Sequence, residues 1–143
     1  AILKRFPDFP KVVLGGHSAG AQLAYKALAL LHQSRIHSAF LMAGAYNLRE
    51  LQHFGIGRVV NMTAEDAERS TCTGKEFRDP NAFEFLFTVG DSEAPKLLEM
   101  NKQLAADLAA NGARRSKILK DPTGSAGNKC RPSYDGATEE DRL

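Results

Sequence analysis

The sequence predicts an α/β fold in which helices flank a parallel sheet. Three observations carry this. A β-branched run, Val12-Val13-Leu14, stands directly before a glycine-bracketed turn. An alanine- and leucine-rich stretch of high helix propensity stands directly after it. Two more short apolar runs follow, residues 38–43 and 83–89, with a second helical pattern behind the latter. Strand, helix and strand in this order imply a right-handed parallel crossover.

Taken in order, residues 1–6 read as a short helix, which Pro7-Asp8-Phe9-Pro10 ends because each proline removes a donor and restricts its predecessor. Lys11-Val12-Val13-Leu14-Gly15 reads as a buried strand. Residues 16–20 read as the turn, and 21–33 as a helix with Leu23, Ala27, Leu30 and Leu31 on its apolar face. The irregular stretch 46–80 reads as an excursion over the sheet edge, the usual place for a cap or lid. Inside it, Thr63-Ala64-Glu65-Asp66 has the form of a capping box and starts a helix ending near Ser70. After the aromatic-rich strand at 83–89, Ser92 is the expected N-cap of a helix with Pro95 in its first turn. Leu97, Met100, Leu104 and Leu108 fall at helical spacing, and Asn111-Gly112 is a natural stop. Ser116-Lys117-Ile118-Leu119 is expected to form a fourth, short strand.

Composition excludes several classes. With 143 residues, 43% apolar and 25% charged, the chain suits one globular domain. A net charge of +2 gives no electrostatic case for nucleic acid or an anionic membrane. No signal peptide or membrane-length apolar run is visible, so a cytoplasmic location is expected. The two cysteines, Cys72 and Cys130, form neither a disulfide framework nor a zinc spacing. No metal and no cofactor are expected. Residues 121–143 contain no valine, isoleucine, phenylalanine or methionine and have no period. They are expected to be a disordered polar tail behind a domain at 1–120.

The turn carries the chemistry. Gly16-His17-Ser18-Ala19-Gly20 is a Gly-x-Ser-x-Gly string between a strand and a helix, the context of the nucleophile elbow of α/β-hydrolases. The strand-to-helix turn exposes the serine hydroxyl above the carboxyl edge of the sheet. Gly16 and Gly20 are expected wherever a side chain would crowd it. Ser18 is the candidate nucleophile. The Ala19 amide, at the positive end of the helix dipole, is the candidate oxyanion donor. In this fold the acid follows the serine and the histidine follows the acid. Asp91, directly after the third strand, is the candidate acid; it is equally placed to cap the next helix, and Glu93 is its competitor. No histidine follows Asp91: the four are His17, His32, His37 and His53. His17 is expected to pack under the elbow. His32 and His37 are expected at the far end of the sheet, and His53 alone could swing over Ser18. No His-Gly-Gly loop supplies a second oxyanion donor either.

At these residues the sequence resembles the kynurenine formamidase (arylformamidase) family of α/β-hydrolases. Gly15-Gly16-His17-Ser18-Ala19-Gly20-Ala21-Gln22-Leu23-Ala24 resembles the family's elbow. Ala43-Gly44-Ala45-Tyr46-Asn47-Leu48 resembles its short loop after the next strand, residues 63–70 its acidic cap helix, and Gly90-Asp91-Ser92-Glu93-Ala94-Pro95 its acid-bearing segment. The resemblance covers about residues 1–119. It implies the C-terminal part of an α/β-hydrolase fold and hydrolysis of N-formyl-kynurenine to kynurenine and formate in tryptophan catabolism, without cofactor or metal. It assigns Ser18 as nucleophile, Asp91 as acid and Ala19 as oxyanion amide. The family's upstream His-Gly-Gly motif and its histidine after the last strand have no counterpart here. The chain is therefore expected to be part of a longer product, altered by splicing or a frame change near Lys120.

Two other readings stand beside this one: a carboxylesterase acting on small esters, and a non-catalytic fragment or pseudoenzyme. The expected partner is a small-molecule substrate, an aryl formamide or ester, with a homodimer admitted. Three or four strands leave an unpaired apolar sheet edge, so poor solubility in isolation is expected.

Overall fold

The computed structural model describes residues 2–5, 7–31, 36–53, 55–90 and 92–121. The tail from 122 onward, with Cys130, lies outside the described residues, as do His32 and Asp91. The elements run α1 (Ile2–Arg5), β1 (Val12–His17), α2 (Ala19–Leu30), β2 (Ile36–Met42), α3 (Leu48–Leu51), α4 (Gly55–Val59), α5 (Ala64–Ser70), a 3-10 turn (Pro80–Ala82), β3 (Glu84–Gly90), α6 (Pro95–Ala110) and β4 (Arg115–Asp121). The strands form one parallel sheet in the order β1-β2-β3-β4. Each crossover returns the chain to the next position, which puts all four carboxyl ends on one edge.

β1 and β4 are longer than their sequence signals, and β3 is shifted by one residue. β1 continues through Gly16 and His17, because both pair with β2 opposite Leu41 and Met42. That leaves Ser18 alone as the turn. β4 extends from Arg115 to Asp121 beside β3.

The helices cover one face of the sheet. α2 packs on β1 and β2, and α6 on β3 and β4. Between them lies a core of Ala39, Leu41, Phe85 and Phe87 from the sheet, Tyr25 and Leu28 from α2, and Leu104 and Leu108 from α6. Aromatic rings dominate it: Tyr25 meets Phe77 edge-on at 5.2 Å, and Tyr46 meets Phe87 edge-on at 5.9 Å. Such pairs add to the burial of their area. The alternating side chains point to the opposite face, which is more open, with Val13 59% and Leu119 39% exposed.

The apolar face of α2 differs from its sequence expectation. Ala21, Tyr25 and Leu28 are buried, whereas Leu23 and Leu30 are 66% and 78% exposed. α2 begins at Ala19, directly on the elbow, and that phase turns Tyr25 toward the aromatic core. The N-cap of α6 differs too. It is Ala94, with Pro95 opening the helix and Ser92 exposed in the preceding turn. Proline's fixed φ starts the helix there, which puts the cap two residues after the expected one.

Residues 46–80 are more than an edge excursion. Ala67, Cys72 and Phe77 are buried, and the stretch is tied to α2 by long-range bonds. Gln22 donates to the Ser70 carbonyl at 2.7 Å and Lys26 to the Thr71 carbonyl at 2.9 Å. Tyr25 donates to Glu76 at 2.6 Å. Thr63 caps α5, accepting the Asp66 amide at 3.1 Å, while Asp66 accepts the Thr63 hydroxyl at 2.6 Å rather than reaching the cap's own amide. Thr71 is a cap supplied from a distance. Its hydroxyl accepts the Leu48 and Arg49 amides at the start of α3, at 3.1 and 3.4 Å, and donates to the Ala67 carbonyl at 2.8 Å. This satisfies first-turn amides that Asn47 leaves uncapped.

Candidate active site

Ser18 stands between β1 and α2 with φ 54° and ψ −122°. Few residues with a Cβ adopt this conformation, and it costs on the order of 1–3 kcal/mol. The surroundings hold it there. The Ser18 amide donates to the Met42 carbonyl at 2.9 Å, continuing the β1-β2 ladder one step past the strand. Its carbonyl accepts the Ala21 amide at 3.0 Å and the Gln22 amide at 3.4 Å, which starts the helix. The chain therefore reverses at one residue, and Ser18 is exposed at the carboxyl edge of the sheet. This is the strained strand-to-helix geometry of a nucleophile elbow.

The two elbow glycines are not equivalent. A Cβ on Gly16 would stand 2.1 Å from the Gly20 carbonyl oxygen and 2.7 Å from the Ala21 nitrogen. Both are backbone atoms that cannot step aside. A Cβ on Gly20 would meet nothing within 4 Å among the described residues. The expectation that Gly20 avoids crowding is thus not met; Gly16 alone carries it.

Ala19 is the first residue of α2, so its amide has no partner one helical turn earlier. It flanks Ser18 at the positive end of the helix dipole.

The histidines fall elsewhere. His17 ends β1 and is exposed, not packed under the elbow. In-out alternation along β1 turns Gly16 toward the helices and His17 to the open face. His37 is half-buried near the amino end of β2, one strand length from the elbow. His53 is exposed after α3. None of these three bonds to Ser18 among the described residues. Glu93 is half-buried in the turn after β3, and its amide donates to the Gly90 carbonyl at 3.2 Å.

Sequence reasoning marked residues 43–48 as a loop by resemblance but missed how they pack beside the elbow. After β2, Ala43 takes φ 42° and its amide donates to the Thr88 carbonyl at 2.8 Å. Gly44 follows, pressed against Tyr46: a Cβ there would lie 2.1 Å from the tyrosine ring. Burial pushes the Tyr46 hydroxyl well above its ordinary range, and that hydroxyl has no hydrogen-bond partner among the described residues. A groove of about 590 Å³ runs between α6 and residues 46–50 and 71–75, floored by Tyr46, Cys72, Met100 and Leu104. It does not include Ser18. No group of three or more His, Cys, Asp or Glu side chains that could hold a metal ion occurs among the described residues. Nor is any helix among them long and apolar enough to cross a membrane.

Known structures share this architecture. A candidate thioesterase from Silicibacter sp. TM1040 superposes with a TM-score of 0.62 at 23% identity over 78% of this chain. An acylaminoacyl peptidase in complex with Z-Gly-Gly-Phe-chloromethyl ketone gives 0.68 at 15% identity over 92%, and the Pyrococcus horikoshii acylaminoacyl peptidase 0.62 at 14% over 83%. The aligned parts are 42%, 22% and 20% of those three chains, so this chain spans less than half the length of each. No family model matches the sequence, and no curated protein does. The described residues thus form a four-stranded parallel portion of an α/β-hydrolase fold, with Ser18 at the carboxyl edge of its sheet.

Proposed function

We propose that this chain carries the nucleophile segment of a serine hydrolase for small acyl groups, of the arylformamidase type. The carrying observation is Ser18: a serine held at φ 54° on a one-residue turn, exposed at the carboxyl edge of a parallel sheet and heading a helix. A serine of no function would more cheaply be glycine at that conformation.

In the reaction proposed, the Ser18 Oγ attacks the formyl carbon of N-formyl-kynurenine while a base removes the hydroxyl proton. The tetrahedral oxyanion receives the Ala19 amide. Collapse expels the aryl amine, which takes the proton back, and leaves Ser18 as a formyl ester. Water then attacks that ester, releasing formate and restoring the hydroxyl. Asp91, next in sequence after β3, or Glu93 in the turn that follows, is the acid that would orient the base. Among the described residues His17, His37 and His53 are not placed to be that base, which supports slow turnover by this chain and keeps the non-catalytic reading in view.

The test is hydrolysis of N-formyl-kynurenine and of short acyl esters by the chain and by Ser18→Ala. Formamide turnover that exceeds ester turnover and disappears in Ser18→Ala supports the proposal. Better ester turnover favours the carboxylesterase, and no Ser18-dependent turnover of either favours the non-catalytic reading.

A further inference from the structure

We propose that Asn101 is a positioning residue for Ser18, holding the β2 exit turn and the start of α6, just after Glu93, in fixed relation to the elbow. The inference rests on the hydrolase reading above. Asn101 lies on the core side of α6 and is 0% exposed. Its amide nitrogen donates to the Gly44 carbonyl at 2.9 Å and to the Leu97 carbonyl at 2.7 Å, and its oxygen accepts the Gly44 amide at 3.3 Å. One side chain therefore meets both backbone groups of Gly44, as a neighbouring strand would.

Packing alone does not call for an asparagine here. Met100, Leu104 and Leu108 bury the same helix, and a buried amide is costly unless bonded. What the amide gains is the place of Gly44. That glycine is pressed on the Tyr46 ring and lies two residues after Met42, whose carbonyl receives the Ser18 amide. A short path thus runs from α6 through Gly44 and Met42 to Ser18. The other end of α6 follows directly from the turn holding Glu93. Lys96, in the first turn of α6, adds an exposed tie to Glu50 of α3 at 2.6 Å. The clamp therefore joins the segment after β2, next to the nucleophile, to α6, the helix that follows the turn holding Glu93.

The experiment compares the full chain with Asn101→Leu, Asn101→Asp and Leu108→Ala. Two quantities are read: the rate at which a fluorophosphonate modifies Ser18, and amide exchange over residues 43–46. Asn101→Leu is expected to slow modification about tenfold and speed that exchange, since small misplacements of reacting groups cost rate steeply. Asn101→Asp, which sets a buried carboxyl oxygen against the Gly44 and Leu97 carbonyls, is expected to slow modification at least as much. Leu108→Ala lowers the melting temperature through the same helix and is expected to leave both readings near the parent values. Parent-like modification in Asn101→Leu overturns the proposal, as does equal slowing in Leu108→Ala. Modification of the parent no faster than of Ser18→Ala defeats the hydrolase reading instead. The positioning claim then stands or falls on exchange at 43–46 in Asn101→Leu.

Discussion

A Cβ on Gly16 would sit 2.1 Å from the carbonyl oxygen of Gly20, four residues along the chain. The elbow closes on itself so tightly that the last turn of β1 and the first turn of α2 share the space of one methyl group. The contact is between backbone atoms, so it sets the shape of the turn whatever side chains surround it.

Gly16→Ala is accordingly expected to destabilise the fold by about 2–4 kcal/mol, because the clash cannot relax without moving strand or helix. Gly20→Ala, with open space in the first turn of α2, is expected to lie within about 1 kcal/mol of the parent. Urea unfolding of the two variants measures the asymmetry.

Ser18→Gly is expected to raise stability by about 1 kcal/mol while removing the hydroxyl. Glycine takes φ 54° without the Cβ penalty that serine carries there. Chemical denaturation of Ser18→Gly beside Ser18→Ala checks this, and Ser18→Ala, which keeps the Cβ, should show no such gain.

Stability is expected to fall at acid pH through Glu76. Burial pushes its carboxyl up, but the Tyr25 hydrogen bond, the Thr73 amide and the Lys26 charge together hold it below its ordinary value of 4.5. A carboxyl depressed in the folded state stabilises above its unfolded pKa, and that stability is lost as pH falls through the folded value. The loss therefore sets in below pH 4.5. Glu76→Gln is expected to cost about 1–2 kcal/mol at neutral pH and to flatten the acid limb of the stability curve.

Cys72 is expected to resist alkylation in the folded protein. Burial pushes its thiol up to about 12, leaving almost no thiolate at neutral pH. Iodoacetamide labelling followed by peptide mapping should find Cys72 modified only once denaturant unfolds the chain.

The elbow was legible in the sequence because every signal for it is local. Gly16, Ser18 and Gly20 sit at fixed spacing, with β-branched residues before and helix formers after. The parallel strands were legible for the same reason, although β1 ran two residues further because pairing with Leu41 and Met42 outweighs the flexibility of Gly15 and Gly16. Tertiary features were not legible. Leu23 and Leu30 outrank Tyr25 in an apolarity count, yet the phase imposed by the elbow and the fit of the tyrosine ring against Phe77 decide which face is buried. Thr71 caps amides 22 and 23 residues earlier, and Asn101 meets a glycine 57 residues away. No periodicity encodes either partner. Asp91 lies outside the described residues, so its assignment rests on its place directly after β3.

The most direct test of the central claim is site mapping of a fluorophosphonate on the purified chain. The account predicts slow modification confined to Ser18 and absent from Ser18→Ala, the reactivity of an elbow serine to which none of the described histidines is bonded. Modification spread over other serines, or none above the Ser18→Ala level, would contradict it.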